Sequence, residues 1–416
     1  MNLRNILLAG LAVCTMASCS KDDDANNGPK AQVDAYVSFG ATALIQTKAE
    51  PGSAADNLDN EKLIKTLDAY IFKDDGTLAG SARETAKEGE TIDCIKHVIV
   101  KVTPESDETA PTADKFIAVL VANGAQQTVS SLDDLKTKVL TGSIETYIPQ
   151  ESALPMVSSE IHFTGLKPFV KGEEEHVENW ANNGGTSSSP VTVAYTTTVD
   201  ATTPTGYNKV IVTRMVARVQ VEKLTVAIGE NYPGATFELD TLSLVNVRPT
   251  AKLGGGFGDY VKGYQSPGYE KDQEWIFPNA DVKEQLAKKY EFDAVANAEY
   301  DFNSSSYKDS KFYAYAFSNV PQTSDNGVYE TALLITGKFK RNSAAEAVTK
   351  NFRVILKDNV PGSVPEILAN HIYKLTVKIT GEGSGNEDKI ELNAHVAATV
   401  MVDPWNVIEQ NEEDAN

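Results

Sequence analysis

Three cysteines, five histidines and 58 acidic residues are the groups with which this 416-residue chain could do chemistry. The histidines (His97, His162, His176, His371, His395) are scattered singly. No His-Glu-x-x-His pair or other ligand spacing joins them, so no metal site is expected. Asp22–Asp24 could attract cations, but a carboxylate run without a fixed cage holds them weakly. Any of the acidic residues could meet in the fold as a glycosidase-like pair, and nothing singles one out. Gly254–Gly258 and Gly381–Gly385 lack the spacing and the lysine of a phosphate-cradling loop and read as hairpin loops. There is no Gly-x-Ser-x-Gly elbow. Cys94 reads as a buried structural thiol rather than a nucleophile. The residue inventory points away from an enzyme and implies no cofactor.

The other two cysteines have a different chemistry. Arg4, the apolar run Ile6–Val13 and the small residues Ala17 and Ser18 precede Cys19 in the order of a bacterial lipoprotein signal. The run is too short to span a bilayer as a helix. Cleavage between Ser18 and Cys19 with acylation of the thiol would leave Cys19 as the lipid anchor, and more than one acyl chain makes such an anchor firm. Cys14 leaves with the leader, so the mature chain keeps no cysteine pair for an internal disulfide. Residues 20–30 are polar and small, and read as a tether. Its acidic run is compatible both with a surface-export signal and with a plain solvated linker. The formal charge is −20, and loss of Arg4 makes it more negative still. Such a surface argues against nucleic acid and against anionic lipid heads.

The elements that must position these groups are mostly strands. Val33, Ala35, Val37 and Phe39 alternate with polar neighbours, as a half-buried strand over Val33–Ile45 would. Leu67–Phe72 ends at the turn Asp75-Gly76, and the continuous apolar run Phe116–Val121 closes at Asn123-Gly124. Val210–Val226 is long, alternating and β-branched. Further strands are expected at Val191–Thr198, Phe237–Val247, Phe312–Ser318, Ala332–Lys340, Lys350–Leu356, Ile372–Thr380 and Ala394–Val402. Ser131 caps an expected helix to about Val139, and Asn279 one over Asp281–Tyr290. The expected fold is mainly β: two β-sandwich domains in tandem with few short helices. A change of composition at Lys171–Tyr207 suggests where they divide.

The two ends of the chain stand out. Strand Val33–Ile45 is followed by Lys48 in a turn-rich, protease-accessible stretch. At the other end, Ala394–Val402 alternates and is followed by Asp403-Pro404-Trp405-Asn406-Val407-Ile408. A terminal apolar strand of this kind is a candidate for pairing with another molecule.

In these features the sequence resembles the fimbrillins, the type V pilins and major fimbrial subunits of Bacteroidota. The resemblance rests on the leader ending Met16-Ala17-Ser18-Cys19, the early strand before Lys48, and Val121-Ala122-Asn123-Gly124. It also rests on Lys209–Val221 with its basic pair Arg214 and Arg218, on the block Asn370–Gly381, and on Pro404-Trp405. It implies transthyretin-like sandwiches, a leader at 1–18, a removable segment at 19–48, and domains at 49–207 and 208–416. It further implies cleavage between Lys48 and Ala49 by a trypsin-like protease, although Arg is commoner there. The strand carrying Val33, Ala35, Val37 and Phe39 would leave, and the C-terminal strand of another subunit (Met401, Trp405, Val407, Ile408) would fill its groove. On this resemblance the chain is a pilus subunit supporting adhesion and biofilm formation, exported as an outer-membrane lipoprotein precursor and matured into the fimbrium. Its partners are other copies of itself and other pilus subunits; the surface it would adhere to is unknown. Tip or anchor subunits of the same pilus stay open as alternatives. So does a cell-surface glycan-binding lipoprotein using the aromatic stretch Tyr260–Trp275.

Overall fold

The computed structural model describes residues 31–43, 58–105, 109–139, 153–169, 177–196, 204, 207–248, 250–255, 286–320, 330–357, 366–383 and 396–404, the last four of these by backbone alone. The first half contains β1 (Val33–Ala43), β2 (Thr66–Lys73), β3 (Leu78–Thr85), β4 (Cys94–Val102), β5 (Lys115–Ala122), α1 (Leu132–Thr137), β6 (Met156–Ser158), β7 (Ile161–Thr164), β8 (Glu178–Trp180), β9 (Val191–Thr192), β10 (Ala194–Thr196) and β11 (Val210–Arg214). The second contains β12 (Val216–Ala227), β13 (Thr236–Val245), β14 (Ala287–Lys289), β15 (Asn297–Asp301), β16 (Tyr313–Phe317), β17 (Ala332–Lys340), β18 (Val348–Ile355), β19 (His371–Ile379) and β20 (Val396–Pro404). The fold is mainly β.

Strands β1 to β11 join in one eleven-stranded sheet, with β4 also on β1, β7 on β5 and β9 on β7. Strands β15, β12, β19 and β20 lie side by side in a five-stranded sheet with β16 also on β12, and β14-β13-β17-β18 form a four-stranded sheet. Alternation explains the facing. In β1, Ala35, Val37, Phe39, Ala41 and Ala43 enter a core with Leu67, Ile71, Phe116, Leu120 and Phe163. The two later sheets enclose a second core around Val219, Val221, Phe237, Leu242, Ile335 and Leu375. A third cluster, including Phe72, Leu135, Met215, Tyr315 and Ile372, joins strands of both sets.

Several expectations are corrected. The run Val210–Val226 is not one strand: Met215 breaks it, its N–H donating to the Pro155 carbonyl at 2.9 Å. Before the break β11 pairs with β1 and β6; after it β12 pairs with β15, β16 and β19. The change of sheet falls between β11 and β12, at Met215. The helix from Ser131 is shorter than expected, because Lys138 is extended and Val139 bridges to Lys252. Of the expected helix Asp281–Tyr290, residues 281–285 lie outside the described residues, while Ala287–Lys289 is strand β14, drawn into pairing with Thr241–Ser243 of β13. Strands β3, β4, β6, β7, β8 and β15 fall outside the expected patterns. For β4 the cause is a bulge, which moves burial from Ile95 to Val98 and breaks the period of two.

Candidate functional site

The site is the slot that β1 occupies. β1 lies antiparallel to β4 from Val33 to Gly40, parallel to β8 from Tyr36 to Ser38, and parallel to β11 from Ala41 to Ala43. The first described strand is therefore an interior one. Backbone and side-chain donors converge on its carbonyls: Phe169 N–H to Asp34 at 2.6 Å, Asn179 Nδ2 to Tyr36 at 2.8 Å and Ala181 N–H to Ser38 at 3.1 Å. Phe39 is fully buried and meets Phe163 edge-on with centroids 6.0 Å apart. Without β1 the slot would expose a row of apolar side chains and a ladder of unpaired backbone groups, each costly to leave unmade.

One face of the slot is polar. Between the pairs Val37–Val98 and Phe39–Ile95 the register of β4 shifts, so Ser38 stands opposite a bulge. At the bulge His97 takes φ +58°, a left-handed conformation uncommon outside glycine. That conformation aims both its N–H and its imidazole at Glu178: N at 3.3 Å from Oε1, Nδ1 at 2.6 Å from Oε2. Ser38 Oγ donates to the same Oε1. The Glu178 carboxyl, 3% exposed, is thus held between β1, β4 and β8. Further along, the Tyr207 hydroxyl accepts from Gly40 N–H at 3.0 Å and donates to the Ala181 carbonyl at 2.7 Å. Burial raises the Tyr207 pKa to about 12. A Cβ on Gly40 would stand 2.9 Å from Tyr207 Cε1, which is why glycine occupies that position.

A buried ionic latch lies beyond Lys48 in the chain. Glu61, in the 3-10 turn Asp59–Lys62, is fully buried and accepts from Arg218 at 2.6 Å, from the Tyr315 hydroxyl at 2.9 Å and from Leu58 N–H at 3.1 Å. Arg214 Nε donates to the Glu61 carbonyl at 2.8 Å. Burial lowers the Arg214 pKa to about 10, opposed by the charge of Glu61. The basic pair Arg214 and Arg218 therefore fastens the segment that starts at Leu58 to strands on both sides of Met215.

At the opposite end of the chain β20 has, among the described residues, a single partner strand, β19, along which it runs antiparallel from Val396–Ile379 to Pro404–His371. Among the described strands it is an edge strand. The Met401 backbone pairs with Lys374. Trp405, Val407 and Ile408 lie outside the described residues, as do Ser18, Cys19, Lys48, Ala49 and the stretch Tyr260–Trp275.

The remaining chemical candidates are accounted for singly. Cys94 sits half-buried on β4 opposite Gly40, and burial, then the charge of Asp93, push its thiol pKa up, away from thiolate reactivity. His162 faces Glu160 at 3.3 Å and His371 Nδ1 lies 2.8 Å from the Ala369 carbonyl. Among the described residues no three His, Cys, Asp or Glu side chains converge as a metal site. Sequence patterns missed Glu178 and Glu61, since a buried glutamate carries no periodic signal; for His97 the broken alternation of β4 was the available clue.

Comparison with known proteins agrees with this architecture. The family model of the major fimbrial subunit protein FimA matches residues 35–214, the span from β1 to β11. The chain is 23% identical over 445 aligned positions to the major fimbrium subunit FimA type-4 of Porphyromonas gingivalis, covering 99% of each. Its fold matches a fimbrilin from Porphyromonas gingivalis W83 with TM-score 0.52 at 17% identity, over 89% of this chain and 99% of that one. It also matches a candidate cell adhesion protein from Parabacteroides distasonis with TM-score 0.58 at 17% identity, over 90% and 98%. By these measures the chain is similar to the fimbrial subunits of Bacteroidota, through the FimA model over residues 35–214 and through relatives that span nearly its whole length.

Proposed function

We propose that the chain is a structural, non-catalytic subunit of the fimbrial shaft that polymerises by strand exchange and supports adhesion and biofilm formation. The precursor travels as a lipoprotein acylated on Cys19 to the outer membrane. A cut between Lys48 and Ala49 releases residues 19–48, so the lipid and the whole of β1 leave together. The vacated slot is filled by the C-terminal segment of another copy, within Met401–Gln410, and repetition gives a head-to-tail polymer that does not close. Two sandwich domains, 49–207 and 208–416, then serve as acceptor and donor ends.

The observation that carries the reading is the interior place of β1. A strand buried among β4, β8 and β11 cannot leave without opening a groove that another strand must refill. Refilling contributes roughly 1.5–3 kcal/mol for each large apolar side chain, besides the backbone pairing. The Glu61 latch supports the same scheme, because it holds the chain on the retained side of the cut. Shaft position follows from having both an acceptor slot and a donor segment.

The test is limiting trypsin on the unlipidated protein. Cleavage at Lys48 should be followed by a ladder of SDS-resistant oligomers. Truncation after Pro404, which spares β20, should abolish the ladder and leave a folded monomer. Cut protein that stays monomeric, or truncated protein that still forms the ladder, would overturn the reading.

A further inference from the structure

We propose that Glu178 acts as a reader of the strand occupying the β1 slot, and that the residue it selects in the incoming donor is Asn406 of a second copy. The inference rests on the strand-exchange reading above and specifies its register.

Glu178 is buried and has three donors: His97 N–H, His97 Nδ1 and Ser38 Oγ. The first two belong to β4 and remain when β1 leaves. The third departs with β1. The empty slot then presents a carboxyl oxygen aimed at the position of one side chain of the next occupant. An occupant without a hydrogen-bond donor there would bury that oxygen with one partner fewer, and an acidic residue there would add like-charge repulsion in a dry site. The strained backbone of His97 adds to the case, since a histidine held at φ +58° is maintained by its surroundings and not by its own preference.

The period of a strand supplies the second constraint. The residues on either side of Ser38, Val37 and Phe39, are both fully buried in the core. The occupant must therefore carry a polar donor between two apolar residues. Beyond Pro404, where β20 ends, the chain reads Trp405-Asn406-Val407-Ile408-Glu409-Gln410-Asn411. In that stretch Asn406 is the one polar residue with apolar neighbours on both sides, and its amide NH₂ is a donor. Asn406 thus takes the place of Ser38, with Trp405 and Val407 in the places of Val37 and Phe39 in either strand direction. The register has a further consequence. Two positions from Asn406, Pro404 or Ile408 falls where Gly40 sits, so the Tyr207 ring has to swing aside.

The test uses the full chain truncated after Pro404 and cut at Lys48 as acceptor, with fluorescent peptides of residues 399–416 as donors, read by anisotropy. Asn406→Asp should weaken binding by about 30-fold or more, and Asn406→Ala by roughly tenfold. Asn406→Ser, which restores a hydroxyl donor, and Asn411→Asp, outside the register, should stay within about threefold of the unaltered peptide. On a Glu178→Gln acceptor the Asn406→Asp penalty should shrink at least about tenfold, and a His97→Gly acceptor should loosen the selection in the same direction. Tyr207→Ala should tighten binding. Equal binding of the Asn406→Asp peptide, or an undiminished penalty on both altered acceptors, overturns the role of Glu178 while strand exchange stands. A peptide of residues 33–43 that binds where 399–416 does not, or failure of both, overturns strand exchange itself.

Discussion

The first and last described strands are both apolar and alternating, yet they are held very differently. β1 pairs with β4 over Val33–Gly40, with β8 over Tyr36–Ser38 and with β11 over Ala41–Ala43, and contributes five buried side chains to its core. Among the described residues β20 is an edge strand on β19, and of its described side chains Val400 is buried in the core while Val396 and Ala398 pack partly against it. An interior strand can leave only if the chain is cut and something replaces it. An edge strand already presents one free row of backbone groups and can lead a segment away from the subunit. The asymmetry suits one end of the molecule to receiving a strand and the other to giving one.

The largest test of this contrast is in the core of the slot. Phe39→Ala in uncut protein should cost about 3–5 kcal/mol in urea unfolding, as for other buried aromatics. A loss below about 1 kcal/mol would mean that β1 is not a structural part of the sheet. Breaking the latch should cost a similar amount: Glu61→Ala leaves Arg218 and Tyr315 without their shared carboxyl, at about 3–5 kcal/mol. Glu61→Gln should recover part of it, because the amide oxygen still accepts. If Glu61→Ala is harmless, nothing special retains the chain beyond the cut.

A pH profile probes the sheet next to the slot. Asp68 on β2 has its pKa raised to about 6 by burial, against the opposing charge of Arg83 3.1 Å away. The folded state therefore holds this proton more tightly than the unfolded chain. Stability from this group is fully present below about pH 4 and falls as pH rises from there to about 6, by roughly 2–3 kcal/mol. Asp68→Asn should remove that slope from the unfolding profile while leaving the β20 end unchanged. A slope that persists in Asp68→Asn would assign it elsewhere. The smallest effect belongs to the edge strand: Val400→Ala should cost only about 1–2 kcal/mol. A loss matching that of Phe39→Ala would erase the contrast between the two ends.

How much of this was legible depended on the kind of signal. Ala332–Lys340 shows the strand pattern at both its ends, and the β1 alternation is equally plain, because half-burial imposes a period of two on side chains. The long run Val210–Val226 shows why pattern has a limit. Its alternation persists almost unbroken while the backbone changes sheets at Met215, and the cause is a hydrogen bond to Pro155, far away in sequence. β4 shows the converse, where a bulge at His97 disguised a strand.

The amino-acid sequence by itself determined the mainly β character and carried the fimbrillin-like blocks around Lys209–Val221 and Asn370–Gly381, because each is written in local order and residue type. Only the tertiary structure decided that β1 is interior, that Glu178 faces it through a strained His97, and that Glu61 meets Arg214 and Arg218. These contacts join residues more than eighty positions apart, and a buried carboxyl is positioned by whatever the fold brings to it. Local sequence specifies what a strand is; which strands lie beside it is settled by long-range packing and register.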